Sequence, residues 1–152
     1  MYRLATMDDC KCVYDLICDM EKKILPYNAF FNIYKMQQHN PNYACILYEE
    51  NTKILAMINL RFEEQLHHAD KIVEIMELVV DSKHRNKQIG KSILKYAEEF
   101  AKEKGAIQIE VACNQLRLDT HRFYLKEKMN NYHYKFSKVL IGEQPKENKL
   151  GM

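Results

Sequence analysis

The chain lacks a charge excess of either sign: 23 Lys and Arg stand against 21 Asp and Glu, a net charge of +2. Without a basic surplus or a recognition-helix pattern, a nucleic-acid-binding regulator is only a distant third reading. Long hydrophobic runs are missing as well. No stretch approaches the ~20 apolar residues of a membrane span, and the opening Met1–Thr6 has no apolar signal core. A cytosolic protein is expected. Glycine and proline are scarce, at four and three residues, and neither gathers into a linker. With no internal repeat either, residues 1–141 are expected to form one domain, followed by a polar tail over 142–152. Disulfide bonding is disfavoured too: the cysteines, Cys10, Cys12, Cys18, Cys45 and Cys113, are odd in number and expected in a reducing compartment. None has a zinc-site partner nearby, so they read as small fillers.

What is present is an ordinary globular pattern, 47% hydrophobic and 29% charged. Tyr2–Thr6 alternates as a first strand. Thr6, Asp8 and Asp9 mark a helix start, and Val13, Leu16, Ile17 and Met20 carry the helix until Pro26 stops it. A second helix is expected over about Tyr27–Gln38. Tyr43–Glu50 and Lys53–Phe62 read as a hairpin around Asn51-Thr52, and Phe62–Asp70 as a polar connection. Ile72–Val80 has apolar residues on both parities, the mark of a strand covered on both faces. Lys91–Lys104 is an amphipathic helix stopped by Gly105. Ile107–Ala112, Leu116–Lys128 and Tyr132–Leu140 complete a β-α-α-β-β-β-α-β-α-β order. The fold class expected is α+β, a mixed twisted sheet flanked by helices.

Chemistry concentrates in Leu78–Leu94, where a buried strand passes through a short basic turn straight into a helix. The start of that helix offers unpaired backbone N–H groups and the positive end of a dipole. Arg85, Lys87 and Lys91 add charge suited to a pyrophosphate, and Gly90 permits close backbone approach. Neither a G-x-x-x-x-G-K-[ST] loop nor a G-x-G-x-x-G fingerprint is present, which disfavours nucleotide hydrolysis and Rossmann binding.

Arg85-Asn86-Lys87-Gln88-Ile89-Gly90 resembles the [Q/R]-x-x-G-x-[G/A] motif of the GNAT acetyltransferase superfamily, with Gln88 in place of the usual first glycine. His121-Arg122-Phe123-Tyr124-Leu125-Lys126-Glu127 looks like the family's later helix, although Lys128-Met129 replaces the usual Gly-aromatic pair after it. Over about Arg3–Leu140 the chain is most similar to aminoalkylphosphonate N-acetyltransferases, on Val13–Cys18, Asn40-Pro41-Asn42, Leu66-His67-His68, Glu74–Val80 and His121–Leu125.

The resemblance implies the GNAT fold, with acetyl-CoA held between two splayed strands as co-substrate. It implies coenzyme contacts from Leu78, Val79, Val80, Arg85, Asn86, Lys87, Gln88, Ile89, Gly90, Lys91, Ser92, Asn114 and Tyr124. The reaction would be amine attack on a thioester, needing a proton acceptor, a polarised carbonyl and a proton for the thiolate. Glu77 is the first candidate for the base and Glu74 the second. Three residues apart, they face opposite sides of a regular strand, so only a bulge could bring both into one cleft. Tyr124 is the expected proton donor. His67 and His68, with Arg61, are candidates for an anionic acceptor; Arg117 and Arg122 are further options that nothing in the sequence ranks. A divalent metal at His67 and His68 is a further option, one that nothing else in the sequence supports.

The expected activity is N-acetylation of a small primary amine, with an aminoalkylphosphonate as the favoured acceptor. An aminoglycoside, polyamine or amino acid is the alternative acceptor, and a non-catalytic acyl-CoA-sensing module the rival of another class. A homodimer is expected from the general prevalence of twofold assemblies.

Overall fold

The computed structural model describes residues 1–85 and 87–144. These residues fall into two compact units that divide after Ala112.

The first unit is built on a five-stranded sheet in the order β1-β2-β3-β4-β5. Its strands are β1 (Tyr2–Leu4), β2 (Tyr43–Glu50), β3 (Lys53–Gln65), β4 (Asp70–Val80) and β5 (Gln108–Val111). The first four pair antiparallel, whereas β5 joins β4 in parallel. In β3, Leu55–Leu60 are all buried, as a central strand covered on both faces requires.

The helices α1 (Cys10–Glu21) and α2 (Tyr27–Gln38) cover one face. There Val13, Leu16, Ile17 and Tyr34 pack on Cys45, Leu47, Met57 and Val79. The expected helix start at Thr6 forms as a short 3-10 turn over Met7–Asp9. The Asp9 carboxylate accepts from the Thr6 N–H at 2.8 Å and pairs with Arg3. Helix α3 (Ile89–Glu103) covers the opposite face through buried Ile93, Leu94, Ala97 and Ala101. Phe100 of α3 meets the ring of Phe62 on β3.

One sequence expectation changes here. The connection after Phe62 is shorter than expected, because β3 runs on to Gln65 and β4 begins at Asp70. That leaves a turn over Leu66–Ala69, closed by an Ala69 N–H to Leu66 carbonyl bond of 3.1 Å. The expected hairpin turn is present, with Asn51 and Thr52 both at positive φ, the twist that two-residue hairpins favour.

The second unit contains α4 (Leu118–Lys126). The strand expected over Tyr132–Leu140 does not form, and Tyr132, Tyr134, Phe136 and Leu140 are exposed. Alternation marks the capacity to pair, but a strand exists only with a ladder partner. Among the described residues this segment has none.

Candidate active site

The β4-to-α3 junction forms as the basic turn and helix start suggested. Asp81 leaves the sheet with its N–H on the Leu55 carbonyl at 2.7 Å, and a 3-10 turn follows over Ser82–His84. His84 Nδ1 sits 2.5 Å from Asp81 Oδ2. That hydrogen bond is the main reason the Asp81 carboxyl stays below its usual range. Arg85, Lys87 and Lys91 are exposed, and Asn86 lies outside the described residues. Gln88 takes the left-handed conformation, φ 65 and ψ 9, at the N-cap of α3. The helical ladder begins with Ser92 N–H on the Gln88 carbonyl at 3.0 Å. The N–H groups of Ile89, Gly90 and Lys91 therefore precede the ladder, at the positive end of a 15-residue helix. A phosphate-bearing coenzyme suits this arrangement.

Upstream, β4 and β5 pair only over Ile72–Ile75 against Gln108–Val111. Beyond Ile75 the β5-facing edge of β4, through Leu78, Val79 and Val80, has no strand partner among the described residues. An extra residue accompanies this parting. Ile75 lies opposite Leu60 and Glu77 opposite Asn59, so Met76 is a bulge against β3. The bulge resolves the facing of the two glutamates. Glu74 lies opposite Arg61 and Glu77 opposite Asn59; Arg61 and Asn59, two apart on β3, share a face. Glu74 and Glu77 therefore share it too.

A cavity of about 670 Å³ opens on that face and reaches as far as Phe62 and Phe100. Its walls include Val13, Ile17, Phe30, Tyr34 and Met57, and its polar lining includes Glu77, Asn59 and Gln37. Asn59 is 6% exposed. Its Nδ2 donates to Glu77 Oε1 at 3.3 Å and to Gln37 Oε1 at 3.0 Å. Burial pushes the Glu77 carboxyl above its ordinary range, opposed by the Asn59 hydrogen bond and reinforced by Glu21. Cys45, opposite Asn59 on β2, is pushed up to about 12 by burial, with Glu77 adding to the effect. A carboxylate at the polar end of an apolar cavity, made more basic by burial, is suited to accept a proton from a bound ammonium.

The remaining candidates divide. Glu74 is held by Arg61 Nη2 at 2.7 Å and is not part of the cavity lining. Arg61 also approaches Glu63 at 3.7 Å, while its Nε is buried with no hydrogen-bond partner. His67 and His68 stack at the β3–β4 turn, where His68 Nδ1 meets Gln65 Oε1. They and Arg61 too lie outside the cavity lining, whose cations are Lys71 and Lys104. In the second unit, the Asn114 side chain accepts from the Leu116 N–H at 2.8 Å, and its carbonyl meets His121 Nε2 at 2.8 Å. Tyr124 is buried. Its hydroxyl is pushed up to about 12, first by burial, then by Cys113, against the pull of Arg117. Among the described residues no three His, Cys, Asp or Glu side chains converge as metal ligands would.

Two residues of the cavity, Asn59 and Gln37, were not singled out from the sequence. Asn59 carried a signal: it is the one polar residue in the apolar run Ile54–Leu60, where a buried amide needs partners.

The profile of the acetyltransferase (GNAT) family matches residues 11–129. An aminoalkylphosphonate N-acetyltransferase of Salmonella typhimurium is 41% identical over 138 residues, covering 91% of this chain and 90% of that protein. A glucosamine 6-phosphate N-acetyltransferase of Arabidopsis thaliana is 30% identical over 62% of each chain. Among solved structures, a transcriptional regulator from Bacillus halodurans superposes with a TM-score of 0.84 at 21% identity, covering 92% of this chain and 99% of that one.

Proposed function

The chain belongs to the GNAT acetyltransferase family, whose members use acetyl-CoA as co-substrate, and from that premise we propose that it acetylates the primary amine of an aminoalkylphosphonate. The observation that carries the reading is the continuity of β4. β4 leads from the cavity carboxylate of Glu77, along an edge without a strand partner among the described residues, to the turn that precedes the anion-suited start of α3. Both substrates are thereby served by consecutive residues.

Acetyl-CoA supplies the thioester. Its phosphates suit the backbone N–H groups of Ile89–Lys91 with Arg85, Lys87, Lys91 and Ser92 around them; Gln88 and Gly90 shape the approach. Asn86 and Asn114 are retained as coenzyme contacts on the family resemblance. Leu78, Val79 and Val80 offer open-edge backbone groups, the kind of donor that can polarise a thioester carbonyl. Glu77 accepts the proton that the ammonium must lose, and its lifted carboxyl is matched to that task. On the family resemblance Tyr124 is the proton donor to the departing thiolate, and its hydroxyl, titrating near 12, holds its proton at working pH.

For the phosphonate, Arg61 is the candidate cation beside the cavity, whose own lining adds Lys71 and Lys104. It shares the face of Glu77, and its guanidinium is partly exposed beside Glu74, within reach of an anionic oxygen. Glu74 then orients Arg61 rather than acting as base. His67 and His68 lie about 20 Å from Glu77 along β4 by the rise of an extended strand, too far for the same compact substrate. The family profile spans the division after Ala112, which supports reading residues 1–141 as one catalytic domain with a polar tail over 142–152. A cytoplasmic homodimer remains part of the proposal.

A thiol-release assay tests this directly, offering aminomethyl- and aminoethylphosphonate beside spermidine, kanamycin and amino acids. Turnover on the phosphonates, with KM raised at least tenfold in Arg61→Met, is the expected result. Turnover confined to another amine would overturn the acceptor and leave the enzyme class standing.

A further inference from the structure

We infer that Asn59, anchored through Gln37, is the positioning residue for Glu77: one amide bridges α2 and β4 and aims the carboxylate into the cavity. The inference deepens the reading of Glu77 as base and rests on it.

Asn59 is a poor choice for the fold by itself. It stands in the middle of β3, flanked by fully buried Ile58 and Leu60, where an aliphatic residue would pack at no polar cost. Both hydrogens of its Nδ2 have acceptors, Glu77 Oε1 and Gln37 Oε1. Glu77 as a carboxylate can only accept, so it fixes which end of the Asn59 amide faces it. Gln37 completes the bridge from the last turn of α2, a helix that also lines the cavity through Phe30 and Tyr34. The Glu77 carboxylate is thus tied sideways to a neighbouring strand and, through it, to a helix. Such a tie removes rotamer freedom from a long side chain that must meet an amine in one geometry.

Other groups also act on Glu77. Glu21 at the end of α1 opposes its ionisation. Tyr34 on α2 and Tyr43 on β2 line the same cavity, and Cys45 on β2 holds its proton. Further along the face, Arg61 and Glu74 are paired with each other. Among these, only Asn59 donates a hydrogen bond to the Glu77 carboxylate.

The test compares Asn59→Leu, Gln37→Met and Glu77→Gln in the full chain. It reads the ionisation of Glu77 by carboxyl-carbon NMR titration and kcat against pH in the acetyl-transfer assay. Asn59→Leu is expected to move the Glu77 midpoint to higher pH and lower kcat about tenfold, with the KM for acetyl-CoA unchanged. Gln37→Met should do the same more weakly; because Gln37 is half-buried at a helix end, that variant keeps the test alive if Asn59→Leu does not fold. If Glu77→Gln is inactive while the other two leave midpoint and kcat in place, the positioning role is overturned and the base assignment stands. If Glu77→Gln retains full activity, the base assignment falls, and with it the catalytic meaning of the bridge.

Discussion

Gln88 occupies a backbone conformation, φ 65, that suits glycine far better than a side chain. The residue opens α3 at the point where the family motif places glycine, so the strain sits where the coenzyme is expected. Gln88→Gly should relieve it at the cost of some added freedom in the unfolded chain. A net gain of about 0.5–1 kcal/mol is expected in urea unfolding, and a loss of stability would show that the Gln88 side chain makes a compensating contact. Glu77 poses the converse case. Burial lifts its carboxyl, so the folded state is penalised for ionising it. That penalty is absent below the unfolded value and complete once the pH exceeds the folded one. Glu77→Gln should therefore stabilise the protein at pH 8 by something on the order of 1 kcal/mol. Below about pH 4 the two proteins should melt together. An offset that persists unchanged into acid would mean that packing, rather than charge, separates them.

At the scale of elements, the bulge at Met76 is the decisive feature of the sheet. It bends β4 at the place where its pairing with β5 ends, and bulged strands bend and twist more than regular ones. Deleting Met76 leaves Glu74, Ile75 and Glu77 in regular alternation, so both glutamates keep their face while the bend is lost. The expected outcome is a folded protein whose affinity for acetyl-CoA falls at least tenfold by calorimetry; undiminished affinity would separate the bulge from coenzyme binding. This device was only half legible in the sequence. The spacing of Glu74 and Glu77 says that a bulge is needed to unite them, yet nothing in Ile75-Met76-Glu77 says that one occurs. Register belongs to the pairing of β4 with β3, not to either strand alone. Helix α2 shows the opposite situation, because Pro26 and the turn after His39 are local signals that bound it in sequence and structure alike. Tyr132–Leu140 shows the cost of reading alternation without a partner. Asn59 and Gln37 acquire meaning only when β3 and α2 are brought together, although an amide in an apolar run could have been flagged.

The whole molecule should declare its chemistry in how rate depends on pH. With Glu77 as base and an ammonium as the form that binds, kcat/KM requires the carboxylate ionised and the amine protonated. It should rise through the lifted range of Glu77 and fall again near the amine's own value, about 10 for an alkylamine. In kcat the free amine no longer appears, and the next group to fail is Tyr124, which titrates at about 12. The kcat profile is therefore expected to show no alkaline limb up to about pH 10. Exchanging aminoethyl- for aminomethylphosphonate should move only the alkaline limb of kcat/KM, because only the substrate changes. Glu77→Gln should remove the acid limb together with about 10²–10³-fold of kcat. Tyr124→Phe should lower kcat by about 10²-fold and leave that limb in place. An acid limb that survives Glu77→Gln and follows the substrate's amine would mean that the proton is lost to solvent before binding. Glu77 would then serve to hold the amine in the cavity, and the rate would rest on positioning alone.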